Sequence, residues 1–150
     1  MSHFTDAELG LTDATPAAHR AAMYVLRDTL LTPIREHVGR PVYVNRDGMK
    51  LRGWRPPISV GVATSQHFRG EAADIDIGGG DIVPLFRWIA WESRLPFGQL
   101  IIERRKPGPW SWIHLSLGAP YRDASRCGQV LYSPDGKRYV RCQPKTELPR

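Results

Sequence analysis

A chain of 150 residues, 41% hydrophobic and 24% charged, has the length and balance of one globular domain able to bury a core. No apolar run is long enough to span a bilayer, and two cysteines, Cys127 and Cys142, are too few for a disulfide scaffold and lack zinc-site spacing. The net charge of +6 favours anionic partners, but apart from Arg104-Arg105-Lys106 the basic residues are dispersed and no nucleic-acid motif accompanies them, so nucleic acid is not an expected partner.

Residues 1–14 carry little pattern and read as an N-terminal extension lying on the surface, ahead of a domain over 15–150. Thr15-Pro16 makes a helix start, and Ala22, Leu26, Leu30 and Ile34 recur at helical spacing until Gly39. Pro33 predicts a kink or break in that run. Pro41–Asn45 reads as a short strand, and 46–64 as loop, with Gly48, Gly53, Pro56, Pro57 and Gly61. Ala72–Ile77 alternates small or apolar residues with acids and predicts a strand. Asp74 and Asp76 would share one face of it, and Ala73, Ile75 and Ile77 the other. Gly78-Gly79-Gly80 is a turn without the lysine and hydroxyl residue of a phosphate loop. Asp81 caps a second helix carrying Ile82, Leu85, Phe86 and Ile89, with Trp88 and Trp91 as packing residues or cleft walls. Residues 99–103 and 112–117 predict two strands joined by a Pro-Gly-Pro loop. Gln129–Ser133 and Lys137–Cys142 flank the turn Pro134-Asp135-Gly136. That hairpin would set Cys127 roughly opposite Cys142, bridged in an oxidising compartment and free thiols otherwise. The sum is an α+β fold, with helices on one side of a small, mostly antiparallel sheet.

The chemistry lies in Ser65-Gln-His67-Phe-Arg-Gly70-Glu-Ala72-Ala-Asp74-Ile75 and in Trp112-Ile-His114-Leu-Ser116. Two imidazoles and a carboxylate are a catalytic zinc ligand set that leaves one position to water. These segments resemble the signature of the zinc D,D-carboxypeptidase and L-alanyl-D-glutamate endopeptidase family, which has the Hedgehog/DD-peptidase fold. Gly53-Trp54-Arg55-Pro56 and Gln99-Leu-Ile-Ile-Glu103 resemble it too, in the family's order, so the likeness covers roughly 16–142. The resemblance implies one zinc per chain on His67, Asp74 and His114. It implies Arg55 as the arginine that binds substrate and steadies the transition state, and Ser65 as a contact to the substrate backbone or carboxylate. Peptidoglycan stem peptides would be the substrates.

One position departs from the pattern. Many members carry an acid three residues before the last histidine, and here Ser111 stands there. Glu103 is the replacement. If Trp112 pairs opposite Glu103, then Ile101, Glu103, Trp112 and His114 share a face and Glu103 lies diagonal to His114, about 7 Å away along the backbone. A one-residue slip would turn Glu103 to solvent. Asp76 is a candidate second partner for a ligand histidine, or else a solvated carboxylate. Trp110 and Trp112 are candidate cleft walls. His3, His19 and His37 have no partners at metal spacing and read as surface residues.

The expected function is hydrolysis of a stem-peptide bond through water activated at the metal. The alternative is a zinc-stabilised binding or structural module, which Ser111 motivates. Met1 to Asp6 lacks the basic-then-apolar layout of a signal peptide. A small, signal-less member of this kind resembles phage lysis enzymes and phage particle proteins. Such a protein would be a monomer made in the host cytoplasm, acting at the wall or travelling in a particle.

Overall fold

The computed structural model describes residues 3–57 and 65–150, so part of the loop expected over 46–64 lies outside the described residues. Its centre is a five-stranded sheet of order β1-β3-β2-β4-β5. The strands are β1 (Ala72–Ile75), β2 (Phe97–Glu103), β3 (Trp112–Leu117), β4 (Gln129–Ser133) and β5 (Val140–Arg141). Every neighbouring pair is antiparallel except β2 with β4. The architecture is the α+β, mostly antiparallel one that the residue pattern implies.

Register decides which residues meet. Asp74 pairs with His114, His114 with Ile101, and Ile101 with Leu131, while Trp112 pairs with Glu103. The register assumed from the sequence for Glu103 and Trp112 is the one found. Side chains alternate along a strand, so these residues share a face. The opposite face carries Ala73, Ile75, Leu100, Ile102, Ile113 and Leu115, all fully buried. They form one core with Leu26, Leu30, Ile34, Phe86 and Ile89 of the helices. Each such aliphatic or aromatic side chain contributes about 1.5–3 kcal/mol on burial, which pins the sheet to the helical layer and leaves the other face for chemistry.

The long helical run is continuous but not regular. α1 (Ala17–Leu26) passes through a π turn, Arg27–Leu31, into α2 (Thr32–Val38). Pro33 is the cause: residue 33 in a regular helix would donate to the Thr29 carbonyl, and the proline ring would press on it. The wider turn precedes it, and Pro33 falls in the first turn of α2. The run stops at Gly39, whose φ of +72° suits a residue without Cβ. It starts one residue later than the Thr15-Pro16 reading: Pro16 holds the cap position, and Thr15 Oγ1 accepts from the Thr12 N–H instead. α3 (Val83–Trp91) begins where Asp81 Oδ1 accepts from the Val83 N–H, 2.9 Å. Trp88 stacks on His37 at 3.6 Å, and Trp91 meets Phe86 edge-on, so both tryptophans pack rather than wall a cleft.

Three expectations are corrected. The N-terminal extension is not a loose surface segment, because Phe4, Leu9 and Leu11 are buried in the core and the Leu9 carbonyl accepts from the Trp54 N–H. Pro41–Asn45 makes a single bridge, Tyr43 with Asp76, and no strand. Asn45 N–H donates to the Glu8 carbonyl and Asn45 Oδ1 accepts from the Arg52 N–H, which ties that segment to its neighbours rather than to a ladder. Cys142 N–H donates to the Val130 carbonyl, so Cys142 sits opposite Val130 rather than Cys127, and both thiols are free.

Candidate metal centre

Three separate elements bring His67, Asp74 and His114 together. Asp74 and His114 are a direct cross-strand pair on β1 and β3. His67 comes from a 3-10 turn, Gln66–Arg69, just before β1. Ser65 Oγ accepts from the His67 N–H at the start of that turn, and Gly70 ends it with φ +74°. A Cβ on Gly70 would lie 2.2 Å from the His19 carbonyl oxygen, so the turn sits flush on α1. The glycine of the signature is thus a steric requirement that fixes His67.

The imidazole of His67 is held at its far nitrogen. Nδ1 lies 2.9 Å from the Gly53 carbonyl oxygen, which can only accept, so Nδ1 carries the hydrogen and Nε2 presents a lone pair. Nε2 lies 3.2 Å from His114 Nδ1 and 3.3 Å from Asp74 Oδ1. His114 Nδ1 lies 2.9 Å from Asp74 Oδ1. Donors about 2.0–2.1 Å from a first-row metal ion lie about 3.0–3.4 Å apart from one another. Two edges of the triangle, 3.2 and 3.3 Å, fall in that range, and the third, 2.9 Å, is slightly shorter. Two ring nitrogens and a carboxylate oxygen at this spacing could hold a metal ion. Among the described residues this is the group of His, Cys, Asp and Glu that could hold one.

The surroundings stiffen the set. Arg55 Nη2 donates to Asp74 Oδ2 at 3.2 Å, and Arg55 Nε donates to the Leu51 carbonyl at 2.6 Å. Arg55 lines the cleft, and its guanidinium also anchors the Asp74 carboxylate. Asp76 does not orient a histidine. Its two oxygens accept from Arg46 Nη2 and Arg52 Nη1, both at 2.8 Å, and it stabilises the loop that carries Gly53 and Arg55. Burial opposes the charge on Asp74. The adjacent imidazoles of His67 and His114 outweigh it, and hold the carboxyl well below the usual carboxylate range.

Glu103 differs. Burial dominates and pushes its carboxyl above the ordinary value. The Asp74 charge pushes the same way, while His114 and hydrogen bonds from Trp112 and Tyr139 pull back. Trp112 Nε1 donates to Oε2 at 2.8 Å and Tyr139 Oη to Oε1 at 3.4 Å. Two carboxyls on one face are therefore pushed apart in pKa, an arrangement that separates a ligand or charge stabiliser from a proton carrier.

These residues line a cleft of about 1000 Å³ that also takes in Ser65, Gln66, Gln99 and Arg122. Trp112 lines it; Trp110 does not, and instead packs edge-on against Tyr132 under the Arg104 guanidinium. Ser111 is exposed, and its backbone N–H donates to the Glu103 carbonyl. His3 and His37 are exposed, as expected, with His37 stacked on Trp88; His19 is partly buried and accepts from Trp54 Nε1. Sequence reasoning missed Tyr139 and the Gly53 carbonyl. No protein-family model, curated protein or solved structure matches the chain, and the functional reading rests on the site itself.

Proposed function

We propose that this chain is a zinc peptidase that hydrolyses peptidoglycan stem peptides, of D,D-carboxypeptidase or L-alanyl-D-glutamate endopeptidase type. The observation that carries this reading is the triangle of two imidazole nitrogens and one carboxylate oxygen at the wall of an open cleft, with Glu103 on the same sheet face. When bound, zinc acidifies water and polarises a carbonyl. His67, Asp74 and His114 would hold it, and the Gly53 carbonyl and Arg55 keep two of those ligands in place. Glu103 takes a proton from the attacking water and returns it to the departing amine, a role its raised pKa suits. Trp112 and Tyr139 hold the Glu103 carboxylate in position. Ser65 and the Trp112 ring offer surfaces to the peptide, and Arg55 adds positive charge beside the reacting carbonyl. The setting that fits is a phage lysis enzyme or particle component working as a monomer.

The test is digestion of purified peptidoglycan with zinc-loaded protein, with products identified by mass and metal measured. The expected result is about one zinc per chain, with D-alanine released or the bond after L-alanine cut. Zinc well under one equivalent, unchanged in His67→Ala and Asp74→Ala, would overturn the site. Wall binding without new termini would favour a non-catalytic module, a reading helped by the fact that both Glu103 oxygens are already hydrogen-bonded.

A further inference from the structure

The end of the cleft away from Glu103 holds a second arranged cation, Arg122. Of the five guanidinium N–H groups, three go to neutral oxygens. Nε donates to the Arg126 carbonyl at 2.9 Å, Nη1 to Gln66 Oε1 at 3.3 Å and Nη2 to Gln129 Oε1 at 2.9 Å. No carboxylate of the described residues pairs with it. Asp123, its neighbour, accepts from Ser125, and Glu71 is met by Arg69 and Gln66. One N–H remains on each terminal nitrogen, the number a carboxylate takes as a fork.

The position is built. A Cβ on Gly98 would lie 3.0 Å from Arg122 Cδ and 2.3 Å from the Leu117 carbonyl oxygen, so a glycine makes room for the arginine stem. Burial and the nearby charge of Arg126 both disfavour the Arg122 cation. A half-buried cation beside a like charge, without an acid, lacks the counter-ion its charge calls for. Register gives its place. Gln99 and Gln129 pair on β2 and β4, Ile101 pairs with His114, and Glu103 lies further on. Two residues of strand, about 7 Å, thus separate the level of His114 from each side.

We propose that Arg122 is a specificity residue of the cleft, taking a substrate carboxylate on the side of the metal ligands opposite Glu103. The carboxylate belongs to a residue within one or two positions of the reacting bond. The proposal rests on the peptidase reading for the orientation of the peptide, but its test needs no turnover.

Affinities of zinc-loaded protein are measured for N-acetyl-L-alanyl-D-glutamate and N-acetyl-D-alanyl-D-alanine, and for the amide of each. At least one acid should bind roughly 10- to 100-fold more tightly than its amide, the range for a hydrogen-bonded charge. In Arg122→Gln that margin should fall to within about 3-fold, with the amide's affinity unchanged. The Arg122 side-chain N–H signal of the wild type should shift with the acid and not with the amide, a readout that does not depend on the variant folding. Equal affinity for acid and amide in both pairs would overturn the proposal. So would a margin that survives in Arg122→Gln, or an Arg122 signal that ignores the acid. If the margin behaves as expected while the wild type cuts no peptidoglycan, the peptidase reading fails and the anion site stands.

Discussion

Replacing Glu103 by glutamine separates chemistry from structure. The amide is nearly isosteric. Its oxygen can accept from Trp112 Nε1, and its NH2 can donate to the Tyr139 hydroxyl, so both contacts survive with one reversed. Zinc content should stay at about one per chain, because Glu103 is not one of the three ligands. Turnover should fall by about 10²–10⁴, the usual worth of a positioned base, or about 3–5 kcal/mol on the barrier. Stability should move the other way. Burial raises the folded-state pKa of Glu103 above its unfolded value. Such a group contributes stability that is complete below the unfolded pKa and is lost as pH rises toward the folded one. Glutamine has no such slope. In chelated, metal-free protein, Glu103→Gln should therefore be at least as stable as wild type at neutral pH, and its advantage should grow from acid to neutral conditions. Denaturant titrations at several pH values read this directly. Near-normal turnover would show that the base lies elsewhere. A metal-free variant that loses stability relative to wild type as pH rises would refute the burial argument.

Gly70→Ala should cost about 1–3 kcal/mol, because it adds a Cβ at positive φ against the His19 carbonyl, and thermal unfolding should move down by several degrees; an unchanged midpoint would contradict the packing of the 3-10 turn on α1. Arg55→Met should weaken zinc binding about 10- to 100-fold in chelator competition by freeing Asp74 Oδ2, whereas loss of turnover with unchanged zinc affinity would assign Arg55 to the substrate alone. Trp112→Phe removes a donor that lowers the Glu103 pKa, so the acid limb of kcat/KM should move to higher pH; a limb that stays put would detach Glu103 from that limb. Removing the metal should lower the unfolding temperature, by about 4 kcal/mol of lost linkage when free zinc had stood 1,000-fold above its Kd, and a midpoint indifferent to chelator would count against a bound ion.

Periodic features of this fold are legible in the chain. Ala22, Leu26, Leu30 and Ile34 recur with the turn of a helix, and alternation along 99–103 and 112–117 fixes a buried and a functional face. A register slip would turn Ile102 and Ile113 out of the core, so the pairing of Glu103 with Trp112 follows from burial. Aperiodic packing is not legible. Phe4, Leu9 and Leu11 enter the core from a turn-rich segment with no repeat for a pattern to reveal. Pro41–Asn45 has strand-like composition, yet Asn45 makes its hydrogen bonds to Glu8, Arg52 and Gly53. Local propensity cannot weigh contacts of that separation.

The same division runs through the site. His67, Asp74 and His114 stand out because side-chain chemistry is written in the residue type. What steadies them is not. The partner of His67 Nδ1 is a backbone carbonyl, and any residue at position 53 would carry one; glycine is needed there because a Cβ would lie 2.1 Å from the Leu9 carbonyl oxygen. Tyr139 reaches Glu103 across 36 residues, and Arg122 reaches Gln66 across 56, by way of a sheet whose order places β4 beside β2. Asp76 illustrates the converse. Its strand position and charge suited it to a histidine, but two arginines from the preceding loop take both its oxygens. Those arginines bind Asp76 to the segment that supplies Gly53 and Arg55. Asp76 thus supports the His67–Asp74–His114 group through the backbone it anchors rather than through a bond to either imidazole.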